Sequence, residues 1–381
     1  MHRNDPAAEM AFAGVLDPGD RQAASQRDLA AWLRLQSALC LSPVLARECL
    51  EAAGGDPVAA LQRSHKEDLA QGQQVEGWIA MLARQGIRAL PFTAPGYPPS
   101  LRALPDPPPL LLVRGSVGDL QRPAIAIVGA RAATGYGRGV AEELGGALAA
   151  AGLVVISGLA RGIDAAAHRG ALASGGRTVA ILGCGPDRVY PPEHRALADR
   201  VAQAGAVVSE LSPGRPPAAP HFPLRNRLIS GLVQAVVVVE ARPRSGSLIT
   251  ARHALNQGRE VLVVPGPIDS PHAAGSNALL RDGARPVLEP ADVLEAIGSP
   301  FAAAAAADPL PGPSGRDEAR LHSRLLGQSL ARDELARELG WPAGRLAAVL
   351  MGLEIDGWLE VDRDGEFRAV PATLRALRGG T

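Results

Sequence analysis

The stretch Leu153–Leu172, LVVISGLARGIDAAAHRGAL, decides the fold of this chain. It opens with four large apolar residues, which is typical of a strand that is covered on both faces. A glycine-rich turn, Ser157–Gly162, comes next, and Asp164 stands where it can cap a helix of alanines. Such a turn directs several backbone N–H groups at one place. With Arg161 beside it, the turn is typical of a phosphate-binding site.

The same order of strand, turn and helix repeats on both sides of this stretch. We therefore expect a doubly wound, mostly parallel α/β sheet of the Rossmann-like class. In this architecture ligands bind outside the carboxyl ends of the strands, which is where the unusual loops of the chain stand. The predicted strands are Ala124–Val128, Leu153–Ile156, Thr178–Leu182, Ala206–Ser209, Ala235–Glu240, Glu260–Val264 and Arg285–Leu288.

Shifts in composition divide the rest of the chain. Leu29–Leu61 and Gln74–Gln85 carry apolar residues at helical spacing, which predicts a small N-terminal all-helical domain, of the SAM or helix-hairpin kind. Three helical segments and a hairpin near the other end predict a C-terminal winged helix. The helix in the position of a recognition helix carries a single basic residue, Arg345. We therefore expect the winged helix to bind a protein rather than to recognise the sequence of a DNA duplex. The predicted division is a disordered leader at 1–26, the helical domain at 27–90, a proline-rich linker at 91–118, the Rossmann-like domain at 119–298, an Ala/Pro linker at 299–316 and the winged helix at 317–372.

Charge and cysteine content limit the possible functions. The 381-residue chain has a formal net charge of +0, so binding to nucleic acid requires a local basic patch. Lys66 is the only lysine, and nearly every cation is therefore a guanidinium, which can grip a phosphate with two hydrogen bonds. The three cysteines have no metal-ligand spacing and suggest no disulfide framework. There is no signal-like N-terminus and no apolar run near 20 residues, so we expect a cytoplasmic protein without a membrane partner.

The loops at the strand ends carry the candidate binding residues. The first, Gly129–Gly137, lacks the G-x-G-x-x-G spacing, and the second strand does not end in an acidic residue, so we predict no NAD and no other cofactor. In a later loop an aromatic ring stands beside two arginines and an amide, a combination typical of single-stranded nucleic acid binding, although Phe222 suits a core position equally well. Two further loops, Ala241–Ser247 and Pro265–Asn277, extend the predicted anion-binding rim. The predicted binding residues are Gly129, Arg131, Ser157, Gly158, Arg161, Gly162, Phe222, Arg225, Asn226, Arg227, Arg244, Ser245, Gly246 and Ser247.

Catalytic signals are weak by comparison. Glu210 and Glu240 end strands and are the candidate acids or bases, but strand-end carboxylates also cap neighbouring helices. No metalloprotease, Walker or metal-ligand motif is present. We therefore predict a binding protein and not an enzyme. A nucleoside-phosphate hydrolase that uses one of these glutamates, and a nucleotide sensor that signals through the winged helix, stay open as alternatives.

Taken together, these motifs resemble the DNA-processing protein A family, also called DprA or Smf. The resemblance is carried by Gly129-Ala130-Arg131, Ser157–Asp164 with His168, Leu182–Gly185 with Asp187–Pro191, Ser209-Glu210, Phe222-Pro223 with Arg225–Gly231, Arg244–Ala251, and Pro265-Gly266 with Ile268-Asp269, Gly275, Asn277 and Asp282-Gly283. Two positions depart from the family pattern, since Ala130 and Pro267 stand where serine is usual.

The resemblance implies a non-enzymatic protein that binds single-stranded DNA. It further implies that the protein protects incoming strands and helps to load the RecA recombinase onto them in natural transformation. A homodimer formed through the Rossmann-like domain is also implied. The family's DNA-contacting residues correspond to Arg131 in the first turn and to Phe222, Arg225 and Arg227 in the basic and aromatic loop.

Overall fold

The computed structural model of the chain describes residues 26–65, 72–298, 313, 315–325, 329–361 and 365–370. Apart from a few residues, the predicted leader and the predicted Ala/Pro linker lie outside the described residues. Within them the chain forms a central sheet with helices on both faces, a set of N-terminal helices and a C-terminal winged helix. The predicted fold class is thereby confirmed.

The central sheet has nine strands in the order β1-β2-β6-β5-β4-β3-β7-β8-β9. From β6 to β9 every neighbouring pair is parallel, while β1 and β2 join antiparallel at the β6 side. The strand order reverses direction at β3, which places the topological switch point of the sheet at the carboxyl end of that strand. The strands are β1 Ile87–Pro91, β2 Leu110–Gly115, β3 Ala124–Gly129, β4 Val154–Ser157, β5 Thr178–Ile181, β6 Ala206–Ser209, β7 Ala235–Val239, β8 Glu260–Val263 and β9 Arg285–Pro286.

Helices cover both faces of this sheet, because the side chains of each strand alternate between two apolar layers. In β3, Ala126 and Val128 contribute to one layer, and Ile125 and Ile127 contribute to the other. Burial on both faces is why the central strands are continuous apolar runs. The helices of this domain are α5 Pro99–Arg102, α6 Gly135–Ala150, α7 Ile163–Ala173, α8 Arg195–Ala204, α9 His221–Gly231, α10 Gly246–Asn256, α11 Ala274–Arg281 and α12 Pro290–Ala296.

The proline-rich segment 91–118 corrects the predicted division of the chain. Instead of linking two domains, it contributes β2 and α5 to the sheet domain, and β1 also begins before the predicted boundary at residue 90. Tyr97, Leu101 and Leu104 are buried in the same apolar layer as β2 and β6. The prolines are compatible with this because most of them stand in the turns between β1 and β2, where no sheet hydrogen bond is required of their nitrogen.

The N-terminal helices pack directly on the antiparallel edge of the sheet. Trp32, Leu33 and other apolar residues of these helices share one core with Ala89 and Leu112 of β1 and β2. Gln36 reinforces the contact, since its amide donates to the carbonyl oxygens of Leu110 and Glu210. These helices are α1 Gln26–Leu39, α2 Pro43–Ala52, α3 Pro57–Arg63 and α4 Gly72–Arg84.

The C-terminal unit is a winged helix with a three-stranded sheet. The stripe predicted from sequence, Leu346, Val349, Leu350 and Leu353, is buried in its core. Within the described residues, no helix of the chain is long and apolar enough to cross a membrane. The elements of the unit are α13 Arg316–Leu325, β10 Ser329–Leu330, α14 Arg332–Leu339, α15 Ala343–Ile355, β11 Leu359–Val361 and β12 Phe367–Ala369, with the sheet order β10-β12-β11.

Candidate nucleic-acid interface

A cavity of about 750 Å³ lies at the switch point of the central sheet. It brings together three of the four predicted loops: the turn after β3, the start of α9 and the start of α10. The fourth loop, Pro265–Asn277, instead lines a separate and smaller cavity beside Tyr136 and Glu240. Three of the predicted loops therefore converge on the large cavity, while the fourth contacts the loop before α10 through His272, whose ring nitrogen lies 3.0 Å from the Arg242 guanidinium.

The turn after β3 does not offer its helix N-terminus to a ligand. The Glu240 carboxylate accepts hydrogen bonds from the backbone N–H of Thr134, at 2.9 Å, and from the Thr134 hydroxyl. A side chain at Gly137, in the first turn of α6, would collide with the same carboxylate. An internal anion thus occupies the positive end of α6, and the phosphate site predicted there is limited to the exposed Arg131.

The turn after β4 is closed by an internal carboxylate in the same way. Asp164 accepts hydrogen bonds from the backbone N–H groups of Gly158, at 3.1 Å, and Ala160, at 3.3 Å. Burial raises the pKa of Asp164, and the nearby Arg225 guanidinium opposes this shift. Both donors are used within the chain, which speaks against the phosphate site predicted at these N–H groups.

The remaining residues of this turn are structural or partly engaged. Ser157 is buried and its hydroxyl donates to the carbonyl oxygen of Ile127 at 2.6 Å. Gly162 adopts a left-handed backbone conformation with φ +74° and packs so closely on the Ala130 carbonyl that a side chain would collide with it. Arg161 is exposed, but it forms an ion pair of 2.5 Å with Glu193.

Two arginines predicted to hold phosphates are buried. Arg225 is 4% exposed and donates to the carbonyl oxygens of Gly158 and Ile181. Burial lowers its pKa to about 10, which leaves the guanidinium charged at neutral pH. Arg227 is 2% exposed and pairs with Glu210 at 2.6 Å and with Asp106 at 2.8 Å. These arginines fix α9 against the sheet, and the burial of Arg227 speaks against the predicted contact with a DNA strand.

The aromatic ring of the α9 loop supports an arginine. The guanidinium of Arg131 lies over the Phe222 ring, 4.9 Å from its centroid. Tyr190 contacts the same ring at a centroid distance of 5.6 Å, and a side chain at Gly183 would collide with it. Arg131 covers one face of Phe222, and the ring is thus a platform for the guanidinium.

The loop before α10 supplies the open part of the rim. Arg242 and Arg244 are exposed, and Ser245 caps the helix by accepting from the Ser247 N–H. A side chain at Gly246 would meet no atom within 4 Å, so the first residue of the helix borders open space. In the described part of the chain no carboxylate bonds to this N-terminus. It is therefore the helix end at this edge where an external anion fits best.

Sequence reasoning missed several residues that line the cavity, among them Tyr190 and the segment 217–219. These residues are uncharged and carry no anion-binding signal of their own, although Tyr190 belongs to the segment Asp187–Pro191 that contributes to the family resemblance. Asn226 also lines the cavity, and its amide donates to the carbonyl oxygen of Gly246 at 3.2 Å, which joins the starts of α9 and α10. No group of His, Cys, Asp and Glu within the described ranges has the arrangement of a metal site.

The family of the chain follows from comparison with known proteins. The profile of the family described as DNA recombination-mediator protein A matches residues 88–298. The chain belongs to this family. A second profile, described as the DprA winged helix domain, matches residues 303–365.

Individual members of the DNA recombination-mediator protein A family are similar over most of their length. Protein Smf of Escherichia coli (strain K12) is 38% identical over 303 residues, which are 78% of this chain and 81% of that protein. DNA processing protein DprA of Bacillus subtilis (strain 168) is 40% identical over 220 residues, 58% of this chain and 74% of that protein. The X-ray structure of DNA processing protein A from Streptococcus pneumoniae aligns with a TM-score of 0.60 at 32% identity, covering 68% of this chain and 95% of that one.

The contact between Arg131 and Phe222 leads to a first prediction for this family member. Replacing Phe222 with alanine removes the platform, so we expect single-stranded DNA affinity to fall by about 2- to 5-fold, which corresponds to about 0.5 to 1 kcal/mol for a cation–π contact at an exposed site. Fluorescence anisotropy with labelled oligo-dT measures the change. Phe222→Tyr keeps the aromatic face and serves as the control. A larger loss for Phe222→Ala than for Arg131→Ala would instead indicate that a base stacks on Phe222 itself.

Proposed function

We propose that this chain binds single-stranded DNA without sequence preference along the cavity rim. The observation that carries the proposal is the Arg131 guanidinium, exposed and held over Phe222 at a cavity that Arg242 and Arg244 also line. Guanidinium groups bind phosphate oxygens in a bidentate way and stack on bases, and both contacts are independent of sequence. The Streptococcus pneumoniae and Bacillus subtilis relatives are named DNA processing proteins, which agrees with a DNA ligand.

We further propose that the chain is not an enzyme. Both strand-end carboxylates considered as catalysts have a structural partner, since Glu210 pairs with Arg227 and Glu240 bonds to Thr134. Glu210 is also buried and does not line the large cavity. Incubation with nucleoside monophosphates and with oligo-dT is expected to leave both chemically unchanged.

The biological role that fits this binding mode is the transfer of a strand to a recombinase. We propose that the chain protects incoming single strands in the cytoplasm and helps to load RecA onto them during natural transformation. A protein that holds the strand while it contacts the recombinase raises the local concentration of both without catalysis. Faster RecA filament formation on DNA that is already coated with a single-strand binding protein is the expected readout.

We also propose that the chain acts as a homodimer through the Rossmann-like domain. Large apolar side chains are exposed on this domain, among them Leu255 and Leu288, and β9 is a short edge strand of the sheet. A contact between two copies of the chain would cover these side chains and the edge strand. Light scattering of the full chain is expected to give twice the monomer mass.

The winged helix supports contact with a protein more than with a duplex. Arg345, the only basic residue of α15, is paired with Asp317 at 2.5 Å and lies over Trp341. The exposed side of the same helix carries Met351 and Ile355, which are apolar. A helix that reads the major groove normally presents several polar or basic side chains, and α15 does not.

The test of the DNA-binding proposal is anisotropy of labelled oligo-dT and of a matched duplex over a salt series. We expect tighter binding of the single strand and a linear fall of log K with log salt, with a slope of about −2.8 for four phosphate contacts. Equal affinity for the duplex would contradict the proposed preference. Absence of oligo-dT binding at low salt would contradict the proposal that the chain binds single-stranded DNA.

A further inference from the structure

Glu240 joins the two loops that carry the exposed arginines of the rim. It directly follows β7, so its backbone opens the loop that carries Arg242 and Arg244. Its carboxylate reaches across to the turn after β3, which carries Arg131, and accepts hydrogen bonds from Thr134. One acidic residue thus links the exposed cations of the rim.

The turn of Arg131 is bound to Glu240 at both of its ends. At the start of the turn, the backbone N–H of Ala130 donates to the carbonyl oxygen of Glu240 at 2.8 Å. At its end, the backbone N–H of Thr134 donates to the Glu240 carboxylate at 2.9 Å, and the Thr134 hydroxyl donates to the same group. Hydrogen bonds to a single residue therefore fix the segment 130–134, in which Arg131 directly follows the first bonded position.

The backbone of Glu240 has an unusual conformation. Its φ of +52° lies in the left-handed region, which residues with a side chain rarely adopt. Such a conformation persists only where the surrounding structure requires it, and it is enriched at functional sites. Here it turns the chain from β7 into the loop of Arg242 while the carboxylate stays bonded to Thr134. A glycine would adopt this φ more readily, but it would lose the carboxylate.

The position of Glu240 indicates an indirect effect on DNA. Glu240 is 7% exposed, and it lines the smaller cavity beside Tyr136 instead of the large one. A carboxylate near phosphates repels them, so the charge of Glu240 by itself weakens DNA binding. Its hold on the turn of Arg131 strengthens DNA binding. Charge and geometry therefore predict opposite effects when the side chain is altered.

We propose that Glu240 is a positioning residue for DNA binding, which holds the turn of Arg131 in place beside the loop of Arg242 and Arg244 so that their guanidinium groups meet one strand together. This role rests on the proposed function, because Arg131 is the cation that the turn presents. Binding groups must be held within about 0.5 Å of their productive geometry. A turn that is released from Glu240 samples other positions, and the affinity for single-stranded DNA falls.

Two substitutions separate the reach of the side chain from its charge. Glu240→Asp keeps the carboxylate and tolerates the left-handed backbone, but it is one methylene shorter, so the contact with Thr134 is lost. Glu240→Gln loses the charge and keeps the length, and its amide can bond to Thr134 because a hydroxyl accepts as well as donates. We expect the oligo-dT affinity to fall about 5- to 10-fold in Glu240→Asp and to stay within about 2-fold of the wild type in Glu240→Gln. Wild-type affinity in Glu240→Asp, with tighter binding in Glu240→Gln, overturns the proposal in favour of charge alone.

A double-variant cycle tests whether the effect passes through Arg131. If Glu240 acts by placing this guanidinium, Glu240→Asp changes the affinity by less than about 2-fold once Arg131 is alanine, whereas independent effects add. A full loss in the Arg131→Ala background overturns the proposed route. Asp269→Asn is the matched charge control, since Asp269 is exposed at the same edge of the sheet and lines neither cavity. We expect this control not to weaken binding.

Limited digestion with trypsin follows the turn without DNA. Trypsin cleaves after arginine in segments that open locally, so we expect faster cleavage between Arg131 and Ala132 in Glu240→Asp than in the wild type. Cleavage after Arg200, which is exposed within α8, reports general unfolding and should be the same in both proteins. Unchanged cleavage after Arg131 overturns the proposed hold on the turn.

The outcomes separate this inference from the proposed function. Oligo-dT binding that is equal in the wild type and in Glu240→Asp overturns the inference and leaves the DNA-binding proposal intact. If the wild type does not bind oligo-dT but the turn opens in Glu240→Asp, the hold of Glu240 on the turn is supported and the DNA-binding proposal fails. If the wild type does not bind and the turn does not open, both fail.

Discussion

Replacing Arg131 with alanine is expected to weaken oligo-dT binding by about 10- to 150-fold while leaving the protein folded. Hydrogen bonds to charged groups contribute about 1.5 to 3 kcal/mol, and each 1.4 kcal/mol is tenfold in affinity. Arg131 is exposed, and its side chain lies over the Phe222 ring, so its loss removes little from the core. Anisotropy with labelled oligo-dT measures the affinity, and thermal unfolding measures the fold.

Two further variants sharpen this prediction. Arg131→Lys keeps the charge but loses the planar fork that stacks on Phe222, so its affinity is expected to lie between those of the wild type and Arg131→Ala. Arg122→Ala is the matched control, because Arg122 is exposed and does not line the cavity. If Arg122→Ala weakens binding as much as Arg131→Ala does, the effect is one of net charge, and Arg131 has no specific role.

The parallel strands were predictable because burial on both faces leaves a strong signal in the sequence. Ala235–Val239 is a run of five apolar residues and is fully buried between two helical layers. The antiparallel strands β1 and β2 gave a weaker signal, since prolines flank them. Leu110–Val113 is as apolar as the central strands, but the prolines before it favoured a linker. Sheet pairing to β6, nearly a hundred residues later in the chain, overrode that local preference.

The candidate site was only partly predictable, because a sequence does not tell which anion a turn binds. The glycine-rich turns after β3 and β4 were correctly placed at the strand ends, yet both satisfy their N–H donors with carboxylates of the chain itself. Glu240 reaches Thr134 across 106 positions of sequence, so no local pattern reveals the contact. The same difficulty applies to charged side chains. The sequence of a loop is the same whether its basic residue faces solvent, binds DNA or pairs with a buried carboxylate.

Arg225 and Arg227 illustrate this last difficulty. The sequence Phe222–Arg227 has the composition of a single-strand binding loop, but its residues belong to a helix that is buried from Arg225 to Gly231. Arg227 finds Glu210 at the end of β6 and Asp106 in the proline-rich segment, two partners that are far from each other in sequence. Alanine at this position is therefore expected to act through the fold and not through a lost DNA contact.

We accordingly expect Arg227→Ala to lower the free energy of unfolding by about 3 to 5 kcal/mol, since it leaves a buried carboxylate without its cation. Urea unfolding of the variant and the wild type measures the difference. The double variant Arg227→Met with Glu210→Met is the control, because it removes the buried Glu210 carboxylate together with the cation and leaves only Asp106, whose side chain is 23% exposed. It is expected to recover most of the loss. A double variant that is no more stable than Arg227→Ala would show that packing, and not the charge, is responsible.

The loss in Arg227→Ala is expected to depend on pH in a direction that identifies its cause. Burial raises the pKa of Glu210, and Arg227 is the main influence that opposes the shift. Without Arg227 the folded-state pKa rises further above the value of about 4.3 in an unfolded chain, so the folded variant binds a proton that the unfolded chain releases. The contribution of Glu210 to the folding stability of the variant is then fully present at acidic pH. It is lost as the pH rises through the folded-state pKa of Glu210. The deficit relative to the wild type should therefore be smaller at pH 5 than at pH 8, whereas a deficit that is constant across this range would exclude Glu210 as its origin.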